Sequence, residues 1–171
     1  WQLPSGCKFV EVGSWMGTSM SFIATEFKCR DKTGEFFAID TWKESPELAH
    51  LVEKIGGAEN LYAKFLENMK NSNVDDIVKP IRMDSVSASK LFDDNSIDVV
   101  FIDAAHDFES VFQDIKHWYP KVKVGGIIGG HDYLVGHPVS ESGVIPAVNS
   151  FFLGKNLEIG QSNRSWHHVK R

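Results

Sequence analysis

The stretch SIDVVFID, residues 96–103, is apolar on both faces when laid out as a strand, as a central strand of a parallel sheet must be. After it come FESVFQDIKHWYPKV (108–122), an amphipathic helix ended by Pro120, and VGGIIGGHDY (124–133), a fifth strand running into a loop. The same alternation runs upstream. CKFVEV (7–12) reads as strand one, TSMSFIATEFKCR (18–30) as a helix and EFFAID (35–40) as strand two. Two helices fall within 45–73, SPELAHLVEKIGG and AENLYAKFLENMKNSN, broken at Gly56-Gly57. DIVKPI (76–81) is a short third strand and VSASKLFD (86–93) a short helix. Strands and helices alternating at this length imply an α/β, doubly wound, mostly parallel sheet with helices on both faces. The end breaks the rhythm. After a helix around IPAVNSFFLG (145–154), the strand-like NLEIG and SWHHVKR are separated only by QSNR. A parallel crossover needs about a dozen residues, so these two form a hairpin and the last strand is antiparallel to its neighbour. Leu157–Ile159 is expected to pair with Trp166–Val169, with Trp166 as the inward anchor. No repeat or linker interrupts the chain, and residues 1–171 read as one domain.

Composition narrows the function classes. The chain has 171 residues, is 42% hydrophobic and carries a net charge of -5, enough for a sizeable core. Its basic residues are scattered, so a nucleic-acid partner is not expected. No apolar run approaches the roughly 20 residues of a membrane span, and no signal-peptide pattern opens the chain. The chain starts at Trp1, so a leading segment could have been trimmed. Cys7 and Cys29 have no metal-ligand spacing and read as two reduced thiols, in keeping with a cytoplasmic protein.

In an open α/β sheet the ligand lies beyond the carboxyl ends of the strands, near the point where strand order reverses. The turn after strand one, in FVEVGSWMGTSMSF (9–22), is therefore the first candidate. A dinucleotide site would show G-x-G-x-x-G. Here Glu11 precedes Gly13 and Gly17, with Ser14, Trp15 and Met16 between the glycines and Ser19 just beyond. A carboxylate beside that turn suits a cationic ligand and repels pyrophosphate. S-adenosylmethionine, with its sulfonium and amino group, matches. Asp40, roughly twenty residues beyond Gly17, can accept from a ribose diol; alternatively it caps a helix with Thr41. Trp42 covers an adenine edge or packs on its own helix. Asp84-Ser85, after strand three, faces the adenine or caps a helix. Asp103 ends the central strand, and His106 follows it. Asp107 and Glu109 read as helix-start residues. His131 and Asp132 arrive from the end of strand five. Polar residues delivered by adjacent strand ends onto one rim mark a site.

The words FVEVGSWMGTS, FFAIDTW, SIDVVFIDAAHDFESVFQDIKHWYPKVKVGGIIGGHDY and the closing SW resemble the class I S-adenosylmethionine-dependent methyltransferases, in particular the small-molecule and sugar O-methyltransferases related to macrocin O-methyltransferase. The resemblance implies a Rossmann-like seven-stranded sheet with an antiparallel last strand. It also implies cofactor contacts at Glu11, Gly13, Gly17, Asp40 and Asp84-Ser85. It makes Asp103 a cofactor-side acid that, in metal-dependent relatives, binds magnesium with a pair after strand five, here His131-Asp132. Histidine departs from the usual oxygen ligand there, which leaves magnesium or another divalent cation open. Set beside that family, these residues are expected to lack most of the N-terminal cap that shapes the acceptor pocket in such enzymes.

The expected activity is therefore transfer of the sulfonium methyl to an oxygen of a small, sugar-like or polyol acceptor. Such a step needs alignment and a base. Two chemistries are open at the rim. Asp103 and Asp132, with His131, share a cation, which is the preferred reading, or His106 takes the hydroxyl proton unless it is a helix-entry residue. Two alternatives stand beside the enzyme: a cofactor-binding domain of this fold without catalysis, and an NAD-dependent oxidoreductase, which lacks its glycine motif. A small-molecule acceptor is the expected partner, with no membrane and with a homodimer left open. His50 and His117 read as surface or packing residues. His167 and His168 alternate across the last strand and cannot chelate together, and His137 lies in a loop that borders the acceptor.

Overall fold

The structure is a computed structural model that describes residues 3–43, 49–160 and 164–171. Its sheet has seven strands in the order β3-β2-β1-β4-β5-β7-β6. The strands are β1 Cys7–Val12, β2 Gly34–Asp40, β3 Val78–Arg82, β4 Ile97–Ile102, β5 Val122–Gly130, β6 Glu158–Ile159 and β7 Trp166–Val169. Strands β1 to β5 are parallel, and β7 runs antiparallel to both β5 and β6. The terminal hairpin is therefore threaded in reverse: its second strand joins the sheet directly, and the two-residue β6 forms the edge. The connecting residues 161–163, and the expected helix start at 45–48, lie outside the described residues.

Alternation along each strand fills two layers. Val10, Val12, Val100, Ile102 and Ile128 pack with helices α4 (Ser85–Ser89), α5 (Phe108–Trp118) and α6 (Ile145–Phe151). Phe9, Phe36, Ala38 and Val99 face the other way, onto helices α1 (Thr18–Cys29) and α3 (Ala58–Asn71). A shorter helix, α2 (Ala49–Lys54), adds Val52 to that second layer. Trp166 is buried in the first layer, as expected of the inward anchor, and His168 beside it is buried too. Its Nδ1 lies 2.6 Å from the Asn156 carbonyl, and its ring packs on Phe152.

The chain runs outward from β1 to β2 and β3, then returns to place β4 on the other side of β1. The strand order reverses between β1 and β4, and Gly13 sits there. Its φ is +88°, and a Cβ at this position would strike the main-chain oxygen of Asp103. Backbone cannot swing aside as a side chain can. Gly13 N–H donates to Ile39 O and Asp103 N–H to Val12 O, so the ends of β2, β1 and β4 are laced together around this contact. Gly17 does a different job. Its missing Cβ admits the side chains of Met69 and Phe65 from α3.

Gly13→Ala should combine a left-handed backbone cost of about 1–2 kcal/mol with an overpacking cost of about 1–3 kcal/mol. Gly136 has a similar φ of +85°, but a Cβ added there would meet nothing within 4 Å, so Gly136→Ala should show the backbone cost alone. Urea denaturation of both variants should return a clearly larger loss for Gly13→Ala, and equal losses would contradict the clash.

Candidate active site

A cleft of about 700 Å³ runs along the carboxyl ends of β1 to β4. Gly13, Trp15, Asp40, Thr41, Met83 and Asp103 are among its lining residues. This is an ordinary size for a small-molecule or cofactor site. Asp40 closes β2 and holds the floor of the turn: its Oδ2 accepts from Trp15 N–H at 2.8 Å and its Oδ1 from Trp42 N–H at 2.7 Å.

Trp42 does not cover the cleft as one sequence reading has it. It takes a φ of +45° and is fully buried against Tyr62 and Phe65, and its indole N–H donates to the Trp15 carbonyl at 2.8 Å. The left-handed backbone turns the ring inward, so Trp42 supports the Trp15 peptide from behind.

Glu11 also differs from the expectation of a carboxylate facing the ligand. Alternation places it with Cys7 and Phe9 on the α1 side of β1, where it is completely buried. Its Oε1 accepts from Ser19 Oγ at 2.5 Å, so Ser19 braces Glu11. Burial pushes the Glu11 carboxyl up to about 7, against the lowering influence of the Ser19 and Ser14 hydroxyls. Glu11 Oε2 and Ser14 Oγ are buried without a hydrogen-bond partner among the described residues. Ser14 and Gly17 are likewise buried beneath the turn.

At the other end of the cleft, Asp84 caps α4, accepting from Ser87 N–H at 2.9 Å, and Ser85 Oγ accepts from the Trp118 indole N–H at 2.8 Å. Asp107 caps α5 through Ser110 N–H, as a helix-start acid should. The sequence reading passed over the cleft-lining residues Lys43, Met83, Ser110, Gln113 and Asp114. Asp114 left a signal, because it is the acid in the buried α5 stripe of Val111, Ile115 and Trp118.

The rim brings together the four residues expected there. Asp103 follows β4, and Asp132 follows β5 with a φ of +56° that turns its carboxylate back toward β4. His106 Nε2 lies 2.9 Å from Asp132 Oδ2, and His131 Nδ1 lies 3.1 Å from Asp132 Oδ1 and 4.0 Å from Asp103 Oδ1. The bond from His106 holds the Asp132 carboxyl below its usual range, while burial raises that of Asp103. Ligand atoms of Asp103, His131 and Asp132 all fall within 4.8 Å of one another. A Cβ on Gly143, in a π-helical turn (Ser140–Val144), would strike the main-chain oxygen of His106, so the His106 backbone rests directly on that turn.

Among the described residues no helix is long and apolar enough to cross a membrane. His50 is exposed on α2, and His117 Nδ1 lies 2.8 Å from its own helix's Gln113 carbonyl, which removes both from the site.

Residues 10–133 match the family of methyltransferase domains, so the chain belongs to the class I S-adenosylmethionine-dependent methyltransferases. The uncharacterised protein R132 of Acanthamoeba polyphaga mimivirus is 27% identical over 125 residues, covering 73% of this chain and 51% of that protein. The chain spans about half or less of the length of the curated relatives it matches. Among solved structures, the O-methyltransferase NovP superposes with a TM-score of 0.69 at 18% identity, over 98% of this chain and 72% of its own. Precorrin-8w decarboxylase of Methanobacterium thermoautotrophicum superposes with a TM-score of 0.65 at 14% identity, over 98% and 83%. At such identities the likeness is one of fold, and a decarboxylase among the neighbours shows that the fold leaves the reaction open. The residues present fit the family's cofactor: Gly13 leaves the turn bare, the Asp40 carboxylate lines the cleft, and the acidic surroundings would favour a sulfonium.

Glu11 sets a pH dependence with a definite sign. Its folded pKa of about 7 lies above the ordinary 4.5, so the native state binds the extra proton and loses stability as pH rises from about 4.5 to 7. Glu11→Gln, which keeps an acceptor for Ser19, should therefore be nearly neutral at pH 4. At pH 8 it should stabilise by on the order of 2–3 kcal/mol. Denaturant titrations at the two pH values check this, and equal effects at both would show that Glu11 ionises freely.

Proposed function

We propose that this domain transfers the methyl group of S-adenosylmethionine to a hydroxyl oxygen of a small, sugar-like or polyol acceptor, with His106 as the base. The observation that carries the reading is the 2.9 Å contact between His106 Nε2 and Asp132 Oδ2 at the rim of the cleft. The cofactor, when bound, supplies a methyl group made electrophilic by its sulfonium. The chain's own residues do the rest. Gly13 and the Asp40–Trp15 tie define the floor of the cleft. Asp132 fixes the His106 ring and stabilises the imidazolium formed when that ring takes the hydroxyl proton, and Asp103 adds a second negative charge nearby. Alignment of the reacting atoms contributes the larger part of the rate and the base a further 10²–10⁴-fold or so.

A second reading rests on the convergence of Asp103, His131 and Asp132. Those three could hold a divalent cation that lowers the pKa of the acceptor hydroxyl, with an imidazole in place of a hard oxygen ligand. The histidine reading is preferred because both oxygens of Asp132 already face imidazole nitrogens, at 2.9 and 3.1 Å.

Labelled S-adenosylmethionine and a panel of sugars and polyols, assayed with and without EDTA, separate the two. Turnover should survive the chelator and fall about 10²–10⁴-fold in His106→Ala. Loss with chelator alone would support the cation. Turnover indifferent to chelator, His106→Ala and Asp103→Asn would sink the rim assignment. S-adenosylhomocysteine should raise the melting midpoint and NAD should not; a shift without turnover on any acceptor would point to a domain that binds cofactor without catalysis.

A further inference from the structure

At the end of α5 away from the cleft, three aromatic rings meet around a cation. Tyr119 follows α5, Phe151 ends α6 and Phe152 comes next. The rings stand steeply to one another, Tyr119 to Phe151 at 65°, Tyr119 to Phe152 at 70° and Phe151 to Phe152 at 71°. Three planes inclined pairwise in this way form the walls of an open box. The Lys155 ammonium lies over all three faces, 4.4 Å from the Phe151 centroid, 4.8 Å from Tyr119 and 5.6 Å from Phe152. Each distance falls within the roughly 6 Å over which a ring face attracts a cation.

The walls are fixed by the protein itself. Phe112 packs edge-on against Phe151, and Trp166 and His168 pack against the buried Phe152. Such packing holds the rings in one orientation. The occupant is held less firmly. Residues 153–156 are exposed, and Gly154 takes a φ of +74° with open space where a Cβ would stand. The Lys155 N–H donates to the Phe152 carbonyl at 2.8 Å, so the side chain can leave the box while its backbone stays tied.

The chemistry of the box differs from that of its occupant. A lysine ammonium carries three N–H donors and is strongly hydrated. Its acceptor among the described residues is the Phe151 carbonyl, at 3.4 Å, and no carboxylate there pairs with it. Ring faces suit a cation that has no N–H to satisfy and presents its charge through methyl groups. Lys170 lies 5.2 Å from the Tyr119 centroid but is committed elsewhere, donating to the Val122 carbonyl at 2.7 Å. It stays in place while one cation over the rings exchanges for another. We propose that Tyr119, Phe151 and Phe152 form a second binding site of this domain, which takes a quaternary ammonium group in place of the tethered Lys155 side chain. The site shares none of the residues that line the cleft.

Titration with tetramethylammonium chloride at fixed total salt, followed through the aromatic ring resonances, tests this. In the wild-type protein the signals of Tyr119, Phe151 and Phe152 should shift and saturate in roughly the millimolar range, where a tethered competitor sets the scale. Lys155→Ala, which removes the competitor, should tighten binding about 10-fold or more. Adding Phe151→Ala to that variant should weaken it again about 5-fold or more. A lysine that merely clamps the end of α6 predicts a lower melting midpoint in Lys155→Ala with no gain in affinity, which overturns the proposal. If the variants do not fold, the Lys155 ε-methylene protons of the wild-type protein decide. Ring currents hold them upfield, and saturation must release them toward their exposed position; protons that stay put refute the exchange. Free amines and choline lipids carry the same headgroup. Saturation by choline supports the first source, and co-sedimentation with phosphatidylcholine vesicles that tetramethylammonium reverses supports the second. Binding of neither refutes the site.

Discussion

The close approach of Gly13 to the main chain of Asp103 is the contact around which the cleft is organised. Two parallel strands can run side by side without touching beyond their ends, but here the turn leaving β1 passes within a missing methyl group of the chain leaving β4. The hydrogen bonds from Gly13 to Ile39 and from Asp103 to Val12 then fix three strand ends relative to one another. Gly143 repeats the device one residue cluster away, with its bare Cα against the carbonyl of His106. The acid and the histidine of the rim are thus set by backbone-to-backbone contact, which has few ways to relax. Side-chain packing alone would allow rotamer drift on the scale that chemistry cannot tolerate.

Around that frame the acids sort into two groups by environment. Asp84, Asp107 and Asp132 receive hydrogen bonds and are held below their ordinary range. Glu11, Asp103 and Asp114 are raised, each chiefly by burial. The first group is engaged by the protein itself, at two helix starts and between two histidines. The second group lines or underlies the cleft with its charge incompletely met. Asp103 and Asp114 line the cleft, where a ligand's donors or positive charge would meet them, whereas Glu11 lies buried beneath the turn.

Much of this was legible in the sequence, and the failures have physical causes. The parallel core followed from the alternation of elements, and the antiparallel end from a connection too short for a crossover, since β7 pairs with β5 and β6 as that length demands. Placing β7 inside β6 was not legible, because a hairpin does not say which of its arms joins the sheet. Glu11 was read by its motif and so assigned to the cleft, although strict alternation with Phe9 already put it under α1. Trp42 turned on a single left-handed residue, which no pattern of neighbours announces. Asp84 allowed both a cap and a ligand contact from sequence; the cap forms through one of its oxygens, and the residue also lines the cleft. The pairing of His106 with Asp132 needed β4 and β5 to be neighbours and Asp132 to adopt positive φ; the first condition was expected, the second was not.

The position of Asp132 bears on how the rim works. A carboxylate shared between two imidazoles, as at Asp132, is already stabilised in the ground state by N–H donors. A divalent cation would have to compete with those donors for the same oxygens, whereas proton uptake by His106 would strengthen what is already there. The Asp132 contact would change from a hydrogen bond to an ion pair, with Asp103 close enough to add to the field. Interactions that grow as charge develops are the ones that lower a barrier. On that ground the proton transfer proposed for His106 would draw on an acid–histidine pair held by Gly143 and by the left-handed turn at Asp132, whose other oxygen faces His131.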